Sequence, residues 1–402
     1  MGQQNNNNHQ FSLSRLLIGR PLETRQLAHQ TVSKLIGLAV FASDALSSTA
    51  YATEEILIIL ALAGTSAAVL GLSIPIAVAI AALIIIVTIS YRQTIYAYPN
   101  GGGAYIVARD NLGEVPAQVA GAALLTDYIL TVAVSISSGV AQITSAFPEL
   151  LPYRVSIAVG IIAIMTVINL RGVRESGSIF SIPTYFFLST TFLMLTVGAV
   201  RYFTGTLPNV TGVEPMHNTV SAVTLFLILR AFSSGSAALT GIEAISNGIT
   251  AFKEPRSRNA AITLIWMSSI LIVVFMGFTL LARAIHAIPS ETETIVSQLA
   301  RTIYGSGSPL YLLTLAGTTL ILLMAANTSY ADFPRLAALA AGDGFLPRQL
   351  TYRGSRLVFS WGIMVLATLA SILVIVFRAR TTNLIPLYAI GVFLSFTISQ
   401  AG

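Results

Sequence analysis

Few ionisable side chains stand well inside the long apolar stretches of this sequence, and Asp44, Asp127, Arg230 and Glu243 are the first candidates for chemistry. A charged group at the middle of a membrane helix costs roughly 2.5–3.5 kcal/mol or more, so such residues mark ion or proton pathways by default. Three acids against one base leave a net negative site, which favours a cation. Asp127, Thr131 and Ser135 are spaced by four, which stacks them along one helical face as a line of oxygens. Hard cations take such oxygens from carboxylate, hydroxyl and carbonyl groups. Asp127 alone would serve as a structural partner of Arg230; its continuation by Thr131 and Ser135 favours a ligand face. Tyr51, seven residues after Asp44, lies about two turns along the same face, where it either closes the site or packs. Arg230 falls near the outer end of its stretch and suits snorkelling or carboxylate pairing better than substrate contact.

The elements that must position these groups are membrane helices. Apolar stretches of spanning length lie at about 34–62, 66–90, 115–146, 154–170, 177–203, 219–251, 260–285, 309–331, 357–377 and 382–402. The first is interrupted by Ser43-Asp44-Ala45-Leu46-Ser47-Ser48 and the sixth by the run from Ser233 to Gly241. These interruptions stand five spans apart, and an odd repeat length inverts the second copy in the membrane. Paired broken helices in inverted halves point to a midplane binding site, whose unwound backbone offers carbonyls to an ion. Close helix packing by small residues is the rival explanation. The expected architecture is all-α, with a tail over 1–33, a first repeat over 34–203 and a second over 219–402.

Composition agrees with this reading. Of 402 residues, 54% are apolar and 9% charged, against roughly 25% charged in an ordinary soluble domain. The net charge of +6 does not imply nucleic acid, because the basic residues fall singly in short loops. They read as topology: a cytoplasmic N-terminus puts fifteen Lys and Arg inside and six outside, with Arg230 in a span. Phe11 to Gln30, after the polar run Gln3 to Asn8, fits either an interfacial helix or a linker. There are no cysteines, and His9, His29, His217 and His286 fall in the tail or loops, so no metal or nucleophile constellation can be assembled from them. The run Tyr98-Pro99-Asn100-Gly101-Gly102-Gly103-Ala104-Tyr105 lacks the Lys-Ser or Lys-Thr and the preceding strand of a phosphate loop. A flexible cytoplasmic gate between the second and third spans is expected there.

Three of these segments carry a family likeness. Ser43-Asp44-Ala45-Leu46-Ser47-Ser48-Thr49-Ala50-Tyr51, the run from Tyr98 to Tyr105, and Ala238-Leu239-Thr240-Gly241-Ile242-Glu243-Ala244 together resemble the KimA-type potassium importers. These are relatives of the KUP family within the amino acid–polyamine–organocation (APC) superfamily. The likeness covers essentially the whole chain; the glycine run is weak and superfamily-wide, and the other two motifs are far more specific. The resemblance implies a LeuT-like, five-plus-five inverted-repeat fold and proton-coupled potassium uptake across the bacterial plasma membrane. It needs no cofactor beyond potassium and the proton. It also implies that Asp127, Thr131, Ser135, Thr240 and Tyr388 are potassium ligands, and that Asp44, Tyr51 and Glu243 serve gating or proton coupling. Tyr388 enters through the likeness alone. Similar proteins continue with two more spans and a cytosolic domain tied to dimerisation, so the end at Gly402 implies a fragment whose homodimer contacts lie further on.

The rival function is an APC-type amino acid permease coupled to protons, whose broken helices bind the substrate carboxylate on glycine-rich amides. The first break here has no glycine, and Asp44 would repel a carboxylate. A potassium channel would need a Thr-Val-Gly-Tyr-Gly-like filter, which is absent. A membrane enzyme would need a catalytic constellation that cannot be assembled.

Overall fold

A computed structural model describes residues 32–101, 103–172, 177–216, 222–354 and 358–402, without the side chains of 177–180. Residues 1–31 of the tail expected over 1–33, with its interfacial helix or linker, lie outside the described residues, as do Gly102 and His217. Hydrocarbon offers the backbone no hydrogen-bond partner, so long apolar runs must satisfy their own amides as helices. In chain order the helices are α1 (Lys34–Ser47), α2 (Thr49–Ala61), α3 (Ala67–Gly71), α4 (Ser73–Ala97) and α5 (Ala104–Leu112). Then come α6 (Glu114–Ala146), α7 (Arg154–Leu170), α8 (Gly177–Phe203), α9 (Leu225–Gly235) and α10 (Ala244–Asn247). The last are α11 (Arg256–Ala284), α12 (Ile295–Tyr304), α13 (Pro309–Gly342), α14 (Ser360–Val376) and α15 (Thr381–Ala401).

Among the described residues, nine helical segments are long and apolar enough to cross a membrane, and the 17-residue α14 is a shorter apolar helix. The chain is therefore an all-helical, multi-pass membrane protein. At its centre α6 packs against both α13 and α15, while α1 packs against α11 and α13, and α2 against α9. Polar pairs join neighbouring helices: Thr53 with Thr279 at 2.9 Å, Thr88 with Ser268 at 2.7 Å, and Asn169 with Asn327 at 2.9 Å. Lipid supplies no hydrophobic drive between helices, so such bonds and close packing hold the bundle.

The two interruptions differ in depth. The first is a one-residue interruption at Ser48, which keeps helical dihedrals of φ −62 and ψ −25. The expected unwinding is absent because hydroxyls fold back onto the helix: Ser47, Ser48 and Thr49 donate to the carbonyls of Asp44, Ala45 and Leu46 at 2.7, 2.6 and 2.7 Å. Such back-bonding bends a helix without opening it. The sixth span does open. A 3₁₀ turn over Ser236–Leu239 ends in extended Thr240, with φ −61 and ψ 145, and Gly241 takes φ +78 before α10 resumes.

Other expectations shift. Helix α13, the eighth span, continues eleven residues past the apolar stretch ending at 331, because its polar Asp332 and Arg335 are followed by an Ala- and Leu-rich run with high helix propensity. It stops before Gly344 at φ +89, a glycine conformation typical of helix ends. The glycine run leads into a formed helix, α5, fastened to the end of α13 by the Tyr105 hydroxyl donating to Asp343 at 2.5 Å. The loop after the seventh span contains α12, capped by Thr294. Arg230 is exposed and takes part in none of the ion pairs among the described residues, so it is not the partner of buried Asp127.

Gly241 is the position where backbone geometry and packing demand the same residue. A Cβ there would lie 2.6 Å from the Ala45 amide nitrogen and 2.9 Å from Asp44 Cβ and Cγ. The left-handed conformation alone costs a side-chain-bearing residue about 1–2 kcal/mol. Gly241→Ala should therefore lower the melting temperature of the purified protein in detergent by several degrees. A melting temperature matching the parent would mean that the break relaxes freely around the added methyl.

Candidate functional site

The site forms where the open sixth span presses on the first span, facing α6 and α15. Gly241 brings its backbone onto Asp44 and Ala45, and Ser48 donates to the Ala238 carbonyl at 3.2 Å, so the two interruptions are joined directly. On the other wall, Gly391 of α15 lets that helix approach the Asp127 backbone, where a Cβ would sit 3.5 Å from its amide nitrogen. Three residues earlier on α15, Tyr388 meets Thr131, whose hydroxyl donates to it at 3.2 Å. The Tyr51 hydroxyl lies within hydrogen-bonding reach of both Tyr388 and Thr240. Asp127 in turn reaches Thr131 one turn along α6. Asp127, Thr131, Tyr388, Tyr51 and Thr240 thus bring oxygens together between α6 and the sixth span, with the Thr131–Tyr388 hydrogen bond at their centre.

Asp44, Asp127 and Glu243 are all buried, and each keeps one carboxylate oxygen without a hydrogen-bond partner: Oδ1, Oδ1 and Oε2. They lie within electrostatic reach of one another. None joins an ion pair among the described residues. Among those residues no three carboxylate or imidazole groups converge closely enough to hold a metal ion by themselves. A cation here would be shared between a carboxylate and hydroxyls.

The residues singled out from the sequence are thus largely brought together. Ser135 is buried one turn beyond Thr131 on α6, but among the described residues no hydrogen bond joins it to these hydroxyls. The backbone half of the expected cage is reduced. Carbonyls of Asp44, Ala45 and Leu46 already accept hydroxyls, and the Ala237 carbonyl accepts both the Thr240 amide and its hydroxyl, at 3.3 and 2.9 Å. Among the buried side chains of the site, the three carboxylates keep unspent acceptor oxygens.

Three acids escaped the sequence reading. Asp332 of α13 faces Asp44 and Glu243, and lay one residue past the apolar stretch that should have held it. Glu54 and Glu55 lie in α2, well inside the first stretch, where the adjacent pair was itself the available signal. Glu55 is buried beside Thr382, and Glu54 accepts from the Ile295 amide at 3.3 Å at the start of α12. Glu54 also lines a small cleft of about 80 Å³ at the opposite end of the molecule from Asp343, together with Thr294, Glu291 and Arg380. Its neighbours are already paired, Glu291 with Arg380 and Glu293 with Arg301, both at 2.8 Å.

Broken helices around buried acids and hydroxyls, in a multi-pass bundle, define a membrane permease. The model of the amino acid permease family matches residues 26–402, and the chain belongs to that family. Among characterised proteins it is similar to the potassium transporter KimA of Bacillus subtilis (strain 168), with 49% identity over 396 residues. That match covers 97% of this chain and 64% of the relative, so the chain spans a little under two thirds of the relative's length.

The oxygens of the site make a graded forecast for cation binding. Tyr388→Phe removes one neutral hydrogen-bonding partner, worth about 0.5–1.5 kcal/mol, so affinity should fall about 2- to 13-fold. Asp127→Asn removes the charge, and the loss should be larger, at least about tenfold, because charged partners contribute roughly 1.5–3 kcal/mol. Calorimetric titration of the purified protein with potassium checks both. Parental affinity in Asp127→Asn would remove that residue from the site.

Proposed function

We propose that the protein imports potassium across the bacterial plasma membrane as a secondary active transporter, by proton symport with alternating access. Asp127, Thr131, Ser135, Thr240 and Tyr388 are the potassium ligands in this reading. Asp44, Tyr51 and Glu243 couple cation binding to gating and to the proton. The observation that carries it is the trio of unspent carboxylate oxygens on Asp44, Asp127 and Glu243, adjoining the hydrogen-bonded hydroxyls of Thr131 and Tyr388. A buried charge is tolerated when paired and becomes costly when its partner is missing. Positive cargo, a cation or protons, supplies that partner. The similarity to a protein named as a potassium transporter supports potassium as the cation.

The five-plus-five reading belongs here too. Its support is that interruptions at Ser48 and at 236–243 fall in the first and sixth spans and pack directly on each other. A cytoplasmic N-terminus follows from the distribution of Lys and Arg. The reading requires no cofactor beyond the two transported ions.

Amino acid permeation is the second reading, favoured by the family to which the chain belongs. A substrate carboxylate at this site would meet three acids and no basic partner among the described residues. Titration of the purified protein with potassium and with a panel of amino acids separates the two readings. Heat on potassium addition alone is the expected result; binding of an amino acid without potassium would favour the permease.

Coupling is tested in vesicles containing the reconstituted chain. Uptake of potassium, followed with a rubidium tracer, should rise with an inward proton gradient. Glu243→Gln mimics the protonated side chain, so it should keep potassium binding within about twofold while uptake loses its response to the gradient. Opposed demands of cation and proton on one carboxylate are what this removes. Uptake that still followed the gradient would move the coupling role to another acid, Asp44 first.

A further inference from the structure

Among Asp44, Asp127, Glu243 and Asp332, Asp332 is the one that reaches the molecular surface. Its side chain is 35% exposed, whereas Asp44, Glu243 and Asp127 are buried. The electrostatic neighbours run inward from it. Asp332 faces Asp44 and Glu243; these face each other, and both face Asp127. Four carboxylates therefore descend from a surface position to the buried hydroxyls of the site.

The exposed face of α13 at this level is an aqueous one. Arg335, one turn on, is 68% exposed and lies 3.7 Å from Asp332. An Asp and an Arg side by side at this depth are tolerated facing water or protein and not lipid. The depth is the same on both helices: Asp332 stands ten residues before Gly342, where α13 ends, and Asp44 ten residues after Lys34, where α1 begins. Each is about 15 Å along its helix, at 1.5 Å per residue. Those two helix ends share a side of the membrane. Asp343 is bonded to Tyr105, between the second and third spans, and Val32 pairs its backbone with Ala251 and Lys253 after the sixth.

We infer that Asp332 is a solvent-side cation station of the site, through which potassium passes between the Asp44–Glu243 pair and the aqueous phase on the N-terminal side of the membrane. The inference rests on the transport reading above and adds to it a residue and a direction. The groups facing Asp332 are Arg335 on its own helix, Asp44 from α1, Tyr128 from α6 and Glu243 from the sixth span. Acids outnumber the single base, so the station favours a cation over an anion and offers it a place beside the buried cage. A cleft lined by one sign of charge raises exchange rates by about 10- to 1000-fold. Arg335 is exposed and 3.7 Å distant, so it tethers the carboxylate loosely without neutralising it.

The test uses the purified chain in detergent and in vesicles. Asp332→Asn should bind potassium within about twofold of the parent by titration, because it leaves the hydroxyls of the site intact, while rubidium exchange across vesicles slows at least about tenfold. Arg335→Gln separates a transport role from helix support. If Asp332 only served its ion pair on α13, both variants would slow exchange equally, which would overturn the inference; a far smaller effect of Arg335→Gln supports it. In parallel, a water-soluble carbodiimide should modify Asp332 about as readily as Asp343, which is 33% exposed, and potassium should protect Asp332 alone. Failure to modify Asp332 where Asp343 reacts would overturn it, as would unaltered exchange in Asp332→Asn with parental binding. A parent that binds no potassium overturns the transport reading itself and this station with it.

Discussion

Negative charge buried in a membrane protein has to be balanced by something the protein holds, and the middle of this molecule is arranged around that requirement. Of the ion pairs of the described residues, Asp332 with Arg335 stands beside the buried acids, while Arg109 with Asp343 and Arg256 with Glu254 lie near one set of helix ends and Arg301 with Glu293 and Arg380 with Glu291 near the other. Asp44, Asp127 and Glu243 share none of them, and each retains an unspent oxygen. A protein without cargo at this site would have little reason to keep three such groups, since one neutral hydrogen-bonded residue packs a membrane interface as well.

Two different backbone solutions bring the acids together. On the first span the hydroxyls of Ser47, Ser48 and Thr49 occupy the carbonyls one turn back, and the backbone at Ser48 stays helical. On the sixth span the helix opens, and the left-handed Gly241 lays backbone against Asp44. The opposite wall is continuous helix, α6 and α15, brought close by Gly391 at the level of Asp127. The site is thus an open turn held between the first span and the helix pair α6 and α15. Local opening there changes few backbone hydrogen bonds outside residues 236–243, which is where a hinge of small amplitude belongs.

Much of this was written in residue spacing. The line Asp127, Thr131, Ser135 needs only the helical repeat, and the structure joins its first two members to Tyr388 across the bundle. Tyr388 itself gave no local signal, because a tyrosine in an apolar stretch looks the same whether its hydroxyl meets a ligand or a neighbouring threonine. Hydropathy also misplaced the end of α13. Asp332 and Arg335 lower the apolar average, but helix formation there depends on propensity and continues to Gly342. Ser43 to Thr49 misled in the other direction: a polar run promises unwinding only when its hydroxyls do not take up the backbone they release. Which of the two happens is a matter of rotamers, and rotamers are not legible in composition.

The choice of carboxylate over carbonyl oxygen has a mechanistic consequence within the proposed reading. A ring of backbone carbonyls replaces the hydration shell of a cation and can do nothing else, which suits a channel. It cannot take a proton. Here the first-span carbonyls beside the site accept hydroxyls, and the unspent side-chain acceptors include acids that satisfy their charge with either a metal cation or a proton. The two cargoes then compete for, or exchange over, one set of oxygens, and a change in the occupancy of Asp127 is felt at Glu243 and Asp44 through their mutual repulsion. Coupling needs no separate relay under that arrangement. It follows from having more buried acids than any one cation can neutralise, placed where the open turn of the sixth span sets their separation.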